Sequence, residues 1–169
     1  VLMAAVLAKG ETVINNAAME PEITNLVEFL IKMGARIEGA GTPILRIEGV
    51  DSLNSADIDT IPDRIEAGTL MIAAAMTRGK VSFKNAIEKH MYSLYAQLED
   101  AGAKVLVNKD LTTISFESGE INPCDANTSI FPGFPTDMQA QWIAFMTTAS
   151  GTSTITDTIY LDRFAHVPE

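Results

Sequence analysis

The chain has 169 residues, 47% of them hydrophobic and 20% charged, which excludes general disorder and requires a sizeable core in one domain or in parts of two. Twelve basic residues against twenty-two acidic ones leave a net charge of −10. That excludes a non-specific nucleic-acid binder, which needs a basic face, although a few local Arg and Lys can still hold a small anion.

Residues 1–8 are apolar but too short, and lack the basic flank, for a signal peptide or a membrane span. They start in mid-pattern and read as the tail of a helix whose beginning is missing, stopped by Gly10. Residues 11–17 are β-branched and bounded by turn formers, which predicts a strand. Glu20-Pro21-Glu22 opens a helix, with Pro in its first turn and carboxylates where the helix dipole favours them. Ile23, Leu26, Val27, Leu30 and Ile31 form its apolar face, and Gly34 ends it. Two strands follow at 36–38 and 44–48, around a Gly-rich turn, and then a short extended run at 56–61.

Asp63-Arg64-Ile65-Glu66 begins the next helix as a capping-box variant. Leu70, Met71, Ile72 and a run of alanines make it apolar nearly all round, which predicts burial on most sides. A strand is predicted at 80–86 and a helix at 90–101, with Met91, Leu94, Tyr95 and Leu98 on one face. Strands at 104–107 and 112–116 complete this passage. It repeats the earlier one: Gly10 to Ala17 matches Gly79 to Ala86, and Gly34-Ala35-Arg36 matches Gly102-Ala103-Lys104. A third copy starts at Gly151, preceded by a helix from Met138. The repeat is too long for a simple solenoid and reads as large α/β units packed by approximate symmetry. Between the second and third copies, the Pro-containing stretch 118–135 shows no clear structure, a feature usual in functional or mobile loops.

Chemistry can reside in few places. In Phe134-Pro135-Thr136-Asp137-Met138-Gln139-Ala140-Gln141, Pro135 stands at a helix entrance that Thr136 or Asp137 can cap. Met138, Trp142, Ile143, Phe145 and Met146 then run as an apolar stripe until Gly151. Asp137 is either a cap, or a general base or acceptor for a substrate hydroxyl. As a base near neutral pH it would need burial or a neighbouring anion, because a helix N-terminus favours the charged form. Asp63-Arg64 is either a cap beside a solvated Arg or an anion contact across a cleft. Arg163-Phe164-Ala165-His166 offers an Arg suited to phosphate or carboxylate, or a solvated end. Glu20 and Glu22 need no function as first-turn acids. Cys124, the one cysteine, excludes an internal disulfide and a cysteine-based zinc site, fits a reducing cytoplasm, and has no nearby His to activate it. No P-loop, dinucleotide Gly fingerprint, HExxH or nucleophile elbow occurs.

Four stretches occur in order: Glu20-Pro21-Glu22-Ile23, Pro62-Asp63-Arg64-Ile65-Glu66-Ala67-Gly68-Thr69, the Phe134 to Gln141 run, and Arg163-Phe164-Ala165-His166-Val167-Pro168-Glu169. Together they resemble the enolpyruvyl transferase family, and within it the bacterial UDP-N-acetylglucosamine 1-carboxyvinyltransferases. The resemblance runs along the whole chain. It implies an α/β (α+β) fold of two similar domains, each of three βαβαββ units with buried helices, an inside-out α/β barrel. This chain would hold the last unit of the first domain, 1–61, and part of the second, catalytic domain, 62–169. It implies transfer of the enolpyruvyl group from phosphoenolpyruvate to the 3′-hydroxyl of UDP-N-acetylglucosamine, the first committed step of peptidoglycan synthesis, in the cytoplasm, with no cofactor, metal, nucleic acid or membrane.

By the same resemblance, Asp137 is the aspartate that hydrogen-bonds the reacting hydroxyl and is proposed as its base. Thr136 lies beside it among the substrate-binding positions. Ile159 contacts the sugar nucleotide through its backbone, Arg163 belongs to the closed site, and Asp63 and Arg64 mark the domain junction. Family enzymes are more than twice this length and carry a catalytic Lys and a general acid in parts this chain lacks. A chain of this kind is expected to be inactive alone, and to self-associate through an exposed half-core. Two other readings stay open: a related transferase with another acceptor, such as shikimate 3-phosphate, and a non-catalytic repeat scaffold.

Overall fold

The structure is a computed structural model and describes residues 1–108, 111–116 and 120–168. The predicted loop therefore begins, and the Arg163 motif ends, on residues outside the described ones. The chain divides into two compact units, Val1–Ile61 and Pro62–Glu169. Among the described residues no helix is long and apolar enough to cross a membrane.

The first unit runs α1 (Leu2–Ala5), β1 (Glu11–Asn15), α2 (Pro21–Lys32), β2 (Arg36–Glu38) and β3 (Ile44–Glu48). Its antiparallel sheet has the order β1-β3-β2, with Glu11 and Arg36 both opposite Glu48. Strand alternation sends Leu45 and Ile47 inward, where they join Ile37, Val27, Leu30 and Val6 in one core. Pro21 stands at the start of α2 as expected. Ile31 departs from the predicted apolar face: it is 45% exposed. The stripe that α2 buries is narrower than its sequence suggests.

The second unit opens with α3 (Arg64–Met76), β4 (Lys80–Lys84), α4 (Tyr92–Asp100), β5 (Lys104–Asn108) and β6 (Leu111–Ser115). The repeat holds in three dimensions. The sheet order is β4-β6-β5, with Lys80 and Lys104 both opposite Ser115, the register of the first unit. Asn16 and Asn85 leave the first strand of each copy with φ of 56° and 60°, which Asn tolerates better than most residues. Gly34 and Gly102, both at φ 103°, end the following helices. The next amide folds back in each case, from Ala35 to the Leu30 carbonyl and from Ala103 to the Leu98 carbonyl.

Two expectations change here. Helix α4 starts at Tyr92, because Met91 (φ −128°) separates it from a 3₁₀ turn at Glu88–His90. Helix α3 is buried along one face only, through Gly68, Met71, Ile72 and Ala75, while Leu70 on another face is 50% exposed. Its apolarity exceeds what this chain covers.

The stretch before Pro135 is not structureless either. It holds β7 (Ala126–Asn127), an isolated bridge from Thr128 to Phe134, and a cis Phe131–Pro132 bond. A 3₁₀ turn at Thr136–Met138 leads into α5 (Gln139–Met146), and β8 (Ile155–Thr156) follows. β7 and β8 pair in parallel, so this segment is a strand–helix–strand crossover. Trp142 and Phe145, both fully buried, anchor α5 in a core shared with Met71, Leu98, Ile114 and Phe134.

Candidate functional site

The site lies where β7 and β8 end and α5 begins, the position at which open parallel sheets collect ligands. Thr128 follows β7, Thr136 and Asp137 precede α5, and Asp157 to Tyr160 follow β8. Side chains extend the short parallel ladder. The Thr158 hydroxyl donates to the Thr128 carbonyl, and the Thr158 N–H donates to Thr128 Oγ1 at 3.0 Å.

Asp157 is the hub. It is buried, and its Oδ1 accepts the Thr128 hydroxyl at 2.9 Å and the N–H groups of Ile159 and Tyr160 at 2.8 and 2.9 Å. Its Oδ2 accepts the Thr136 hydroxyl at 2.6 Å. Burial pushes this carboxyl up, but the hydrogen bonds from Thr136, Tyr160, Ile159 and Thr128 outweigh it and lower its pKa to about 2.

This has a consequence for stability. The unfolded chain takes up the proton near the ordinary value of 3.8, so Asp157 stabilises the fold fully above that pH. The contribution disappears as pH falls through the folded-state value. Urea midpoints of the wild-type chain are expected to drop between about pH 4 and pH 2. Asp157→Asn is expected to remove part of that slope; an unchanged slope contradicts the assignment.

The structure brings Thr136, Asp137, Ile159 and Arg163 together. Arg163 Nη2 pairs with Asp137 Oδ1 at 2.8 Å, and Arg163 Nη1 donates to Thr136 Oγ1 at 2.9 Å. The guanidinium also lies 5.2 Å from the centroid of the Tyr160 ring. The expected cap does not form: neither Thr136 nor Asp137 accepts a helix N–H, because both side chains are turned to the 157–163 segment. Asp137 also lacks the surroundings of a buried base, with its side chain 52% exposed and a cation as neighbour. The hydrogen-bond-acceptor role is the one these surroundings support. Ile159 has committed its N–H to Asp157, so a backbone contact to a ligand falls to its carbonyl.

Asp63 and Arg64 take other places. Asp63 caps α3, accepting the N–H groups of Ile65 and Glu66 at 2.8 and 2.9 Å, and Arg64 sits 5.7 Å from the Phe131 ring centroid. Burial pushes the Cys124 thiol up, and Asp100 and Asp125 add to it, an environment that disfavours a nucleophilic thiolate. Gln141 Nε2 donates to Thr69 Oγ1 at 3.0 Å, tying α5 to α3 behind the site. Sequence reasoning missed Asp157 and Thr128. The available signal was Asp157 standing two and three residues before exposed amides after a strand, the pattern of an Asx turn.

Residues 1–169 match the family model described as EPSP synthase (3-phosphoshikimate 1-carboxyvinyltransferase). The chain is 50% identical over 168 residues to the UDP-N-acetylglucosamine 1-carboxyvinyltransferase of Shewanella halifaxensis, covering 99% of this chain and 40% of that one. It is 52% identical over 168 residues to the enzyme of that description from Chlorobaculum parvum, covering 99% and 39%. Among solved structures, the enolpyruvyl transferase NikO from Streptomyces tendae superposes with a TM-score of 0.84 at 23% identity, over 99% of this chain and 40% of that chain. At that identity the likeness speaks for the fold: this chain is a mixed α/β assembly of the enolpyruvyl transferase type. It spans about 40% of the length of the curated relatives it matches.

Proposed function

Because this chain belongs to the EPSP-synthase family of enolpyruvyl (1-carboxyvinyl) transferases, we propose that it carries the acceptor-hydroxyl side of the active site of a UDP-N-acetylglucosamine 1-carboxyvinyltransferase. The observation that carries the proposal is the Asp137–Arg163 pair, set at the carboxyl ends of β7 and β8 and fixed by Thr136. The identity of about 50% to enzymes of that description supports the nucleotide sugar as acceptor.

In this reading, the 3′-oxygen of UDP-N-acetylglucosamine adds to C2 of phosphoenolpyruvate as its hydroxyl proton is released and C3 gains a proton; from that tetrahedral intermediate the C2–O bond to phosphate breaks while C3 gives up a proton, which restores the double bond. Asp137 Oδ1 is held by Arg163, which leaves Oδ2 for the acceptor hydroxyl. Holding that oxygen in place orders the attack without a bimolecular search. Arg163 supplies positive charge beside the reacting centre, and the Ile159 carbonyl accepts a hydrogen bond from the sugar nucleotide. Thr136 is a positioning group. Asp63 and Arg64 stand at the start of the second domain, with 1–61 the last unit of the first. The finer fold follows from the repeat. A strand beside β1 and another beside β4, set as β7 is beside β8, would complete βαβαββ units and cover those two sheet edges. Incomplete cover also supports self-association, since Leu70 and Leu161 are 50% and 86% exposed.

A titration of the chain with UDP-N-acetylglucosamine, followed by amide shifts, tests the placement. Shifts centred on Thr136, Asp137 and Ile159 are expected. Shifts confined to the first unit would refute the assigned site. The reading of a related transferase with another acceptor draws on the name of the matching family model; titration with shikimate 3-phosphate separates it.

A further inference from the structure

We propose that Asp157 is a positioning residue of this site: through the Thr136 hydroxyl and the 157–160 turn it fixes the Arg163 guanidinium against Asp137. The inference rests on the reading of Asp137 and Arg163 as site residues, but its geometry stands on its own atoms. Asp157 touches neither of them.

A hydroxyl has one proton to give. The Thr136 proton goes to Asp157 Oδ2 at 2.6 Å, so the oxygen lone pairs face Arg163 Nη1 at 2.9 Å. That leaves Nη2 directed at Asp137 Oδ1, 2.8 Å away. The other carboxylate oxygen does separate work. By accepting the N–H groups of Ile159 and Tyr160 at 2.8 and 2.9 Å, Oδ1 curls the chain into the turn from which Arg163 reaches back. It also sets the Tyr160 ring on which the guanidinium stacks, 5.2 Å from its centroid. The Thr128 hydroxyl at 2.9 Å ties the carboxylate to the end of β7. An exposed Asp–Arg pair is ordinarily mobile and adds little to stability. Here a buried carboxylate outside the pair determines its geometry. The low pKa of Asp157, about 2, keeps it an acceptor at neutral pH, so the Thr136 proton has one direction.

The two carboxylate oxygens make the idea separable from simple support of the turn. Asp157→Asn keeps an oxygen for the three donors on Oδ1 but presents an NH₂ group, which cannot accept, to Thr136. Thr136→Val removes the relay and leaves every Oδ1 bond in place. Thr136→Ser keeps the hydroxyl. The readout is the Arg163 guanidinium Nη signals of the full 169-residue chain. Two resolved resonances, the mark of hindered rotation, are expected in the wild type and in Thr136→Ser. They should merge into one in Asp157→Asn and in Thr136→Val, while the Trp142 indole signal stays put. If Asp157→Asn also displaces the Trp142 signal, the turn itself has been lost, and Thr136→Val decides by the same readout. Resolved Arg163 signals in Thr136→Val, or a single averaged signal in the wild type, would overturn the proposal. Neither depends on turnover or on ligand, so failure of the substrate assignment is distinguishable from failure of the relay.

Discussion

Asp137→Ala is expected to lower kcat by about 10²- to 10³-fold, the range lost when one hydrogen-bonding group aimed at the reacting centre is removed, in a hybrid transferase in which this chain replaces the 168 matching residues of the Shewanella halifaxensis enzyme. The size follows from position. Asp137 is 52% exposed and adds little to the fold, so its loss should leave unfolding midpoints nearly unchanged. What goes is the oxygen proposed to meet the acceptor hydroxyl. Arg163 also loses its partner at 2.8 Å and swings on its remaining contacts to Thr136 and Tyr160. The cost should therefore fall on kcat more than on KM for the nucleotide sugar, since an interaction made in the transition state is removed. Steady-state phosphate release at saturating UDP-N-acetylglucosamine gives the number. A loss below about threefold would remove Asp137 from the chemistry.

Trp142→Ala is expected to cost about 3–5 kcal/mol, the usual toll for an aromatic truncated in a packed core. Trp142 is fully buried and stands edge-on to Phe134 and Phe145, with centroids 5.5 and 5.3 Å away. Its Nε1–H donates to the Cys124 carbonyl at 3.4 Å, so the same side chain pins the segment before β7. Domains of this size have about 5–15 kcal/mol in hand, so the truncation removes a large share. Trp142→Phe keeps an aromatic ring between Phe134 and Phe145 but loses the Nε1–H bond, and should cost less, about 1–3 kcal/mol. Urea unfolding followed by far-UV circular dichroism measures both. The site should fail with the core, because Phe134 and Asp137 lie in one short run between them. A cost under about 1 kcal/mol for Trp142→Ala would mean that α5 is not anchored as described.

Much of this arrangement was legible in the sequence because it is local. Pro21 at a helix start, Asp63 as a cap, and the alternation of Leu45 and Ile47 each depend on a few neighbouring residues. The internal repeat was legible for the same reason, and it reaches down to the paired left-handed Asn16 and Asn85. What was not legible depends on distant partners. β7 is two residues long and acquires its ladder from β8, across the whole of α5; no alternation can mark so short a strand. Asp137 sits where a cap is expected, and only Arg163 and the 157–160 turn show why it is not one. Asp157 reads as one polar residue among threonines until Thr128 and Thr136 close on it. Helix α3 gives the opposite lesson. Its sequence signals burial on most sides, and one exposed face of this chain leaves that signal unanswered.

Phosphate release from phosphoenolpyruvate by the hybrid tests whether the β7–α5–β8 corner holds the acceptor hydroxyl of a nucleotide sugar. Release is expected to require UDP-N-acetylglucosamine, to be absent with shikimate 3-phosphate, and to be lost in Asp137→Ala. A folded hybrid that turns over shikimate 3-phosphate and not the nucleotide sugar, or one whose turnover ignores Asp137→Ala, would contradict it.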